Sequence, residues 1–452
     1  MERTVLTAAD TVELRDGATA ALPPGPRLPM AVQTALWVLA PVRFIDWCRD
    51  HYGEIFTVNL PFNGHVVQLC DPDAIRSVFT APPADAHAGE VNAVLQPLVG
   101  RNSVLLLDGP DHLRQRRLML PAFHGERMQR YAEMIAEVTE REVRTWPVGQ
   151  AFALRPSMQR ITLEVILRAV FGADDGDQLS GLRRLISELV DLRHSQIAFL
   201  PGFRRDLGPR SPWGRFLRNR ERADSAIYSL IAARRADADA GVERDDILSM
   251  LLQARDENGE SMTDAELRDE LMTLLLAGHE TTATTLAWFF DLMLHHGEIL
   301  DRLETELASG STAYLDAAVR ETMRMRPVVP VIGRRLRAPL QVGPWRLPAG
   351  VAVSPNIVGT HRNPRVYPEP ERFAPERFLD QRTDAFSWLP FGGGIRRCLG
   401  ATFATFEMRI VVPAVLRHAR LRPVAQECEP MVRRAVTLVP RHGVRVVATS
   451  VR

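Results

Sequence analysis

From Asp111 to about residue 326, apolar positions recur at helical spacing, and prolines and glycines are confined mostly to breaks near 121, 147, 156, 201 to 214 and 241. This pattern predicts a long helical middle. Before it, strand-like runs at 54–60 and 65–70 flank Asn63-Gly64, a pair that accepts the positive φ of a tight hairpin turn. After Arg326 the texture changes to short β-like runs: Arg334 to Val342, Trp345 to Leu347 and Val351 to Val353. A proline-rich irregular stretch follows from Asn363 to Pro390, then a helix from about Leu399 to Arg417. The tail runs Val436 to Val439 and Val444 to Ala448 read as the strands of a hairpin. Pro23 to Pro29 is too rich in proline for a helix or a central strand. Residues 1–29 are therefore expected as an extended lead-in to a folded body over 30–452, which opens on a helix-like stretch to Asp50. Helices in the middle with small sheets at both ends predict a mainly α (α+β) fold in a single domain, not alternating βαβ units.

Composition narrows the function. With 46% apolar and 25% charged residues the chain can bury a large core, and its net charge of +1 points neither to nucleic acid nor to an anionic membrane. All 56 basic residues are arginine. The absence of lysine excludes a Walker-type phosphate loop, a protein kinase and a pyridoxal Schiff-base enzyme, each of which needs a lysine amine. Four cysteines, at 48, 70, 398 and 428, are too few and scattered for a disulfide framework, and fit a reducing cytoplasm. Glu2 and Asp10 precede any apolar run, and Met30 to Ala40 is broken by Gln33 and Thr34. It falls short of the roughly 20 residues that span a bilayer, so neither a signal peptide nor a membrane anchor is expected.

One cysteine has distinctive surroundings. Phe391-Gly392-Gly393-Gly394-Ile395-Arg396-Arg397-Cys398-Leu399-Gly400 sets three glycines and two arginines before a cysteine at the start of a helix. Such a loop suits an iron held by sulfur. The glycines let the backbone turn tightly and approach a flat macrocycle. The helix start favours a thiolate, Arg396 is placed for a propionate, and Phe391 for shielding the sulfur. A glycine-rich turn beside a buried cysteine is the plainer reading, but the other cysteines lack these neighbours, and Cys428 lies between Glu427 and Glu429. The three glycines have no later glycine in register and precede no βαβ unit, which argues against a nucleotide loop.

At these residues the chain resembles the cytochrome P450 family, of soluble bacterial type. Phe391, Gly394, Arg396, Cys398 and Gly400 match its haem-binding signature F-x-x-G-x-R-x-C-x-G, and other marks follow in order from Pro23 to the C-terminal strands. The resemblance implies a P450-like fold, haem b (iron protoporphyrin IX), Cys398 as iron ligand, and Phe391, Gly392, Arg396 and Gly400 around the cofactor.

A second mark lies in a proline-free stretch from Thr263 to Leu294, which Thr263 and Glu266 open with a capping-box pattern. Its centre, Ala277-Gly278-His279-Glu280-Thr281-Thr282, sets poor helix formers among leucines. Close packing over Ala277 and Gly278, with threonines bonding back to carbonyls, is one account. The other is resemblance to the family's oxygen-binding groove A/G-G-x-D/E-T-T. On that account Ala277 borders the haem, the helix ladder opens to water, and Glu280 with Thr281 delivers protons. His279 does not begin a zinc motif, since Ala283 stands where HExxH needs its second histidine. Asp291 and His295 share a helix face with no third ligand obvious in the sequence, so core or surface duty is expected of them.

By the same resemblance, Glu321 and Arg324 form the family's E-x-x-R pair, with Arg377 its third partner, and hold the cysteine loop in place. His112 and Arg116, one helical turn apart after the turn Asp108-Gly109-Pro110, and Arg334 are the implied propionate anchors. A solvated basic helix is the competing reading for His112 and Arg116, given Arg114 and Arg117 nearby. The implied reaction inserts one atom of O2 into an apolar substrate, lipid-, terpenoid- or polyketide-like, by hydroxylation or epoxidation. Peroxide-driven oxidation or isomerisation, and a non-catalytic haem sensor, are the alternatives. Candidate pocket segments are Val91 to Val99, Ile197 to Phe203, Leu274 to Thr281 and Val328 to Ile332. Only 54 residues follow Cys398 (452 − 398) and no dinucleotide fingerprint precedes it, so electrons are expected from a ferredoxin with its reductase or from a flavodoxin. Arg114, Arg117 and Arg397 are candidate docking charges for such an acidic donor.

Overall fold

The computed structural model describes residues 10–13, 19–61, 63–123, 127–172, 176–190, 204–208, 211–379 and 383–452. The chain divides into two compact units. The first comprises the chain up to Ala93, Ala317–Cys398 and Met431–Val439. Its five-stranded sheet has the order Ile55–Leu60, Gly64–Leu69, Ala352–Pro355, Arg334–Leu336, Ala86–His87. The first two strands form the predicted hairpin, with Leu60 opposite Gly64 and Gly64 at φ +67°. Ala352–Pro355 runs parallel to Gly64–Leu69 and is buried along its whole length. A strand covered on both faces shows no alternation of apolar and polar positions, as in Ala352-Val353-Ser354-Pro355.

Beneath the sheet, Val67, Leu69, Val353 and Leu336 meet Ile75, Val78 and Phe79 of the helix Pro72–Phe79. That helix starts where Asp71 accepts the Ala74 N–H at 3.0 Å and a proline fills the first turn. The lead-in departs from expectation, because Asp10–Glu13 pairs antiparallel with Thr19–Leu22. Pro23 to Pro29 is irregular as expected but docked: Pro24 O accepts the Thr57 N–H at 3.0 Å, and a Cβ on Gly25 would lie 1.8 Å from Thr57 O.

The second unit comprises Val94–Asp316, Leu399–Pro430 and Pro440–Arg452. The helix Asp264–His295 runs through it without interruption, and both bonds of the Thr263/Glu266 capping box are present. Along its middle it packs on the helix Leu154–Phe171, where Gly278 comes close enough that a Cβ would lie 3.3 Å from Ile166.

The tail differs from its sequence reading. The two runs do not pair with each other: Thr437–Pro440 pairs with Met431–Arg434, whereas Arg445–Val451 lies between Ala419–Pro423 and Ala151–Ala153 in a separate sheet. Pro440 has no N–H to continue a ladder, and Gly443 and Val444 at φ +77° and +58° turn the chain away. Ala151–Ala153, within the stretch expected to be helical, is too short to leave a periodic signal. Among the described residues no helix is long and apolar enough to cross a membrane.

Candidate active site

In the first unit the cysteine loop closes on itself: the Cys398 N–H donates to Phe391 O at 2.9 Å, and Arg397 N–H to Gly394 O at 3.1 Å. Cys398 is exposed and stands two residues before Gly400, the N-cap of the helix Ala401–His418. Cys48 and Cys70 are buried, and burial pushes their thiols up, that of Cys48 to about 12. Phe391 sets its ring edge-on to Trp388, 5.9 Å between centroids.

The glycines serve a purpose the sequence did not reveal. A Cβ on Gly393 would lie 2.3 Å from the Phe79 ring, and one on Gly394 would lie 2.4 Å from Phe79 O. Gly392 and Gly394 have φ +65° and +62°. At Gly393 and Gly394, then, Phe79 at the end of the helix Pro72–Phe79 leaves no room for a side chain. Arg334 is buried, donates to Gly333 O at 2.8 Å and stands over the same Phe79 ring at 5.9 Å. Phe79 thus joins the loop to Arg334, and no local signal marked it.

Glu321 and Arg324 are fully buried and bidentate, at 2.7 and 2.9 Å. Arg324 also donates to His361 O at 2.8 Å and Pro370 O at 2.9 Å, and Glu321 accepts the Ala374 N–H at 3.0 Å. Arg377 lies 3.5 Å from Glu321 and donates to Glu369 O at 2.9 Å. The three residues predicted to act together do meet, as the fastening of an irregular segment rich in carbonyls. A residue missed in the sequence links them to the loop. His361, fully buried, donates from Nδ1 to Arg324 O (3.1 Å) and accepts the Leu389 N–H at Nε2 (2.9 Å), two residues before Phe391. Burial, then the Arg324 charge, depress its pKa to about 3, so the neutral tautomer that this pattern requires is the stable one.

In the second unit the centre of the long helix turns two ways. Leu274, Ala277, Gly278 and Thr281, at i, i+3, i+4 and i+7, form a partly accessible stripe along the middle of a helix most of whose residues are buried. Glu280 is buried on another side. Its carboxylate accepts from Arg155 and from Gln159 Nε2 (2.5 Å), while Arg155 Nε donates to Thr284 at 3.2 Å. Thr281 donates to Ala277 O at 2.7 Å, and Thr282 and Thr285 likewise bond back one turn. The ladder expected to open is an uninterrupted α-helix, because these hydroxyls add to its hydrogen bonds and replace none. His279 donates to Leu275 O at 2.6 Å, and burial lowers its pKa.

The helix Gly109–Met119 carries His112, buried, and Arg116, half-buried, one turn apart. Arg114 and Arg117 are both paired with carboxylates. Arg114 binds Asp256 at 2.6 Å and Glu266 at 2.9 Å, and Arg117 pairs with Glu257 at 3.1 Å. Of the trio expected to greet an acidic donor, Arg397 alone stands exposed and outside the ion pairs of the described residues.

These residues fit a haem: an exposed cysteine two residues before a helix N-cap, in a loop closed by its own backbone, with the cationic Arg334 and Arg396 in the same unit. The comparisons agree. The family model "Cytochrome P450" matches residues 23–446. The chain is 43% identical to "Putative cytochrome P450 135B1" of Mycobacterium bovis, over 95% of this chain and 92% of the relative. It is 42% identical to "Putative cytochrome P450 138" of Mycobacterium tuberculosis, over 94% and 96%. The structure titled "Retinoic acid bound cyanobacterial CYP120A1" superposes with a TM-score of 0.82 at 26% identity, covering 95% of this chain and 99% of that one. With the cysteine loop tied through His361 to Arg324 and relatives matching almost end to end, one conclusion follows: this chain belongs to the cytochrome P450 family, the haem-thiolate monooxygenases.

Proposed function

We propose that the protein holds haem b through Cys398 and inserts one oxygen atom from O2 into an apolar, lipid-, terpenoid- or polyketide-like molecule, by hydroxylation or epoxidation. Bound haem supplies the oxygen and one-electron chemistry. The chain supplies the rest. Arg396, His112, Arg116 and Arg334 neutralise the propionates, and Phe391, Gly392, Gly400 and Ala277 border the macrocycle. Thr281 and Glu280 move protons, and Glu321, Arg324 and Arg377 keep the loop in place. Residues 1–452 act as one domain in the cytoplasm, with electrons from a separate ferredoxin or flavodoxin.

The observation that carries this reading is the closed, exposed Cys398 loop, fastened through His361 to Arg324. Leu274, Ala277 and Val328 are apolar on segments assigned to the substrate, and the cyanobacterial neighbour binds retinoic acid, itself largely apolar. Ile197 to Phe203 lies outside the described residues. The test is spectroscopic. Reduced protein under carbon monoxide should show the red-shifted Soret band of a thiolate ligand, retained in Cys428→Ala and lost in Cys398→Ala. The reverse pattern would overturn the assignment.

A further inference from the structure

The sequence leaves Asp291 and His295 as an i, i+4 pair on one helix face with no third partner. The fold provides one. Cys428, in the loop between the strands Ala419–Pro423 and Met431–Arg434, comes to the same face. One potential ligand atom from each of the three residues lies within 4.8 Å of the others. From this arrangement we propose a binding site for a divalent transition-metal ion, best suited to zinc, at the C-terminal end of the long helix. It lies ten residues or more from Thr281, roughly 15 Å along the helix axis, and uses none of the residues assigned to haem.

Three features support it. The ligand set is one sulfur, one nitrogen and one oxygen, a mixture that selects zinc over magnesium or calcium. The outer partners of a metal site are already in position. His295 Nε2 lies 3.2 Å from Ala425 O, and Asp291 Oδ2 accepts the Glu429 N–H at 3.0 Å, so each would be oriented by a backbone group. The third feature is the spacing: His295 Nδ1 lies 3.7 Å from Asp291 Oδ1, close to the separation of neighbouring ligands in a tetrahedral zinc site, and both Nδ1 (2.6 Å) and the Cys428 thiol (4.0 Å) reach the Asp291 carbonyl oxygen, so the three side chains converge on one turn of the helix.

The surroundings favour such a cation. Asp291 is 2% exposed, and the carbonyl end of the helix dipole points the same way. Metal–ligand bonds of about 2.0–2.3 Å put tetrahedral ligand atoms roughly 3.6 Å apart. Closing from 4.8 Å takes a shift of about 1 Å, within reach of residues 424–427, which are exposed and lie outside strands and helices. The same exposure gives the ion a path in.

The experiment uses the haem-loaded full chain, stripped with a chelator and dialysed against zinc chloride. The parent should retain one zinc per chain more than Cys428→Ala, whose affinity at this site should be at least tenfold lower. Alkylation of Cys428 by iodoacetamide, followed by peptide mass, should slow at least tenfold with zinc and recover with chelator. Should the variant fail to take up haem, the alkylation of the parent decides alone. Equal zinc uptake by parent and variant, or an alkylation rate indifferent to zinc, would overturn the metal site.

Discussion

Thr281 and Glu280 are adjacent in sequence, yet a step of 100° around the helix gives them different neighbours. Glu280 is drawn to Arg155 and Gln159, and Thr281 stays on the accessible stripe with its hydroxyl on Ala277 O. Two experiments separate the roles. Thr281→Val keeps the shape and deletes the hydroxyl, and the backbone ladder persists, so haem uptake and the carbon monoxide band should survive. If the hydroxyl serves proton delivery, the ratio of hydrogen peroxide to product should rise, by as much as the roughly 10²-fold typical of a lost acid–base group. An unchanged ratio returns Thr281 to packing. For the buried pair, Arg155→Met strands an uncompensated carboxylate and should cost about 3–5 kcal/mol in denaturant unfolding, most of it regained in Arg155→Met/Glu280→Gln. A double variant as unstable as the single would show that Arg155 matters for its bulk. Nothing local in the sequence joined positions 155 and 280.

Between elements, His361 ties the helix Ala313–Met325 to the segment leading into the cysteine loop. Its titration should be visible in stability. The unfolded imidazole takes up a proton near pH 6.5, whereas the folded one resists until about pH 3. The contribution is therefore intact above pH 6.5. It is lost as pH falls toward 3, at up to about 1.4 kcal/mol per unit. His361→Asn should flatten that part of the stability profile, and at pH 7 it should cost about 1–3 kcal/mol if the Leu389 N–H goes unsatisfied. A variant profile parallel to the parent's would remove His361 as the cause. Such links also mark the limit of what the sequence disclosed. The long helix, its capping box and the first hairpin were legible because each rests on local spacing, and the Glu321–Arg324–Arg377 cluster because the family resemblance implies it. Phe79, Arg155, His361 and the partners of the tail strands were not, since each acts through a residue far along the chain that no periodicity records.

At the scale of the whole molecule, a net charge of +1 provides no long-range steering, so an electron donor must be recognised by local charge. Arg114 and Arg117 are engaged with Asp256, Glu266 and Glu257, which shifts the expected docking role to Arg397, beside Cys398 in the chain. Purified protein with reduced nicotinamide alone should give no product, and a ferredoxin with its reductase should restore it. Within that system, Arg397→Glu should slow reduction by roughly tenfold at low salt and weaken its dependence on ionic strength, because exposed charges are screened beyond about 10 Å at 0.1 M. Arg117→Glu meets Glu257 with a like charge on the surface and should change the reduction rate little. Haem content and the carbon monoxide band serve as controls in both variants, separating a docking defect from damage to the cysteine loop. Equal slowing by the two substitutions would mean that the ion pair at Arg117 does not remove it from the docking surface. Sustained product without any partner or peroxide would mean that the chain obtains electrons by itself, and the separate donor would have to be abandoned.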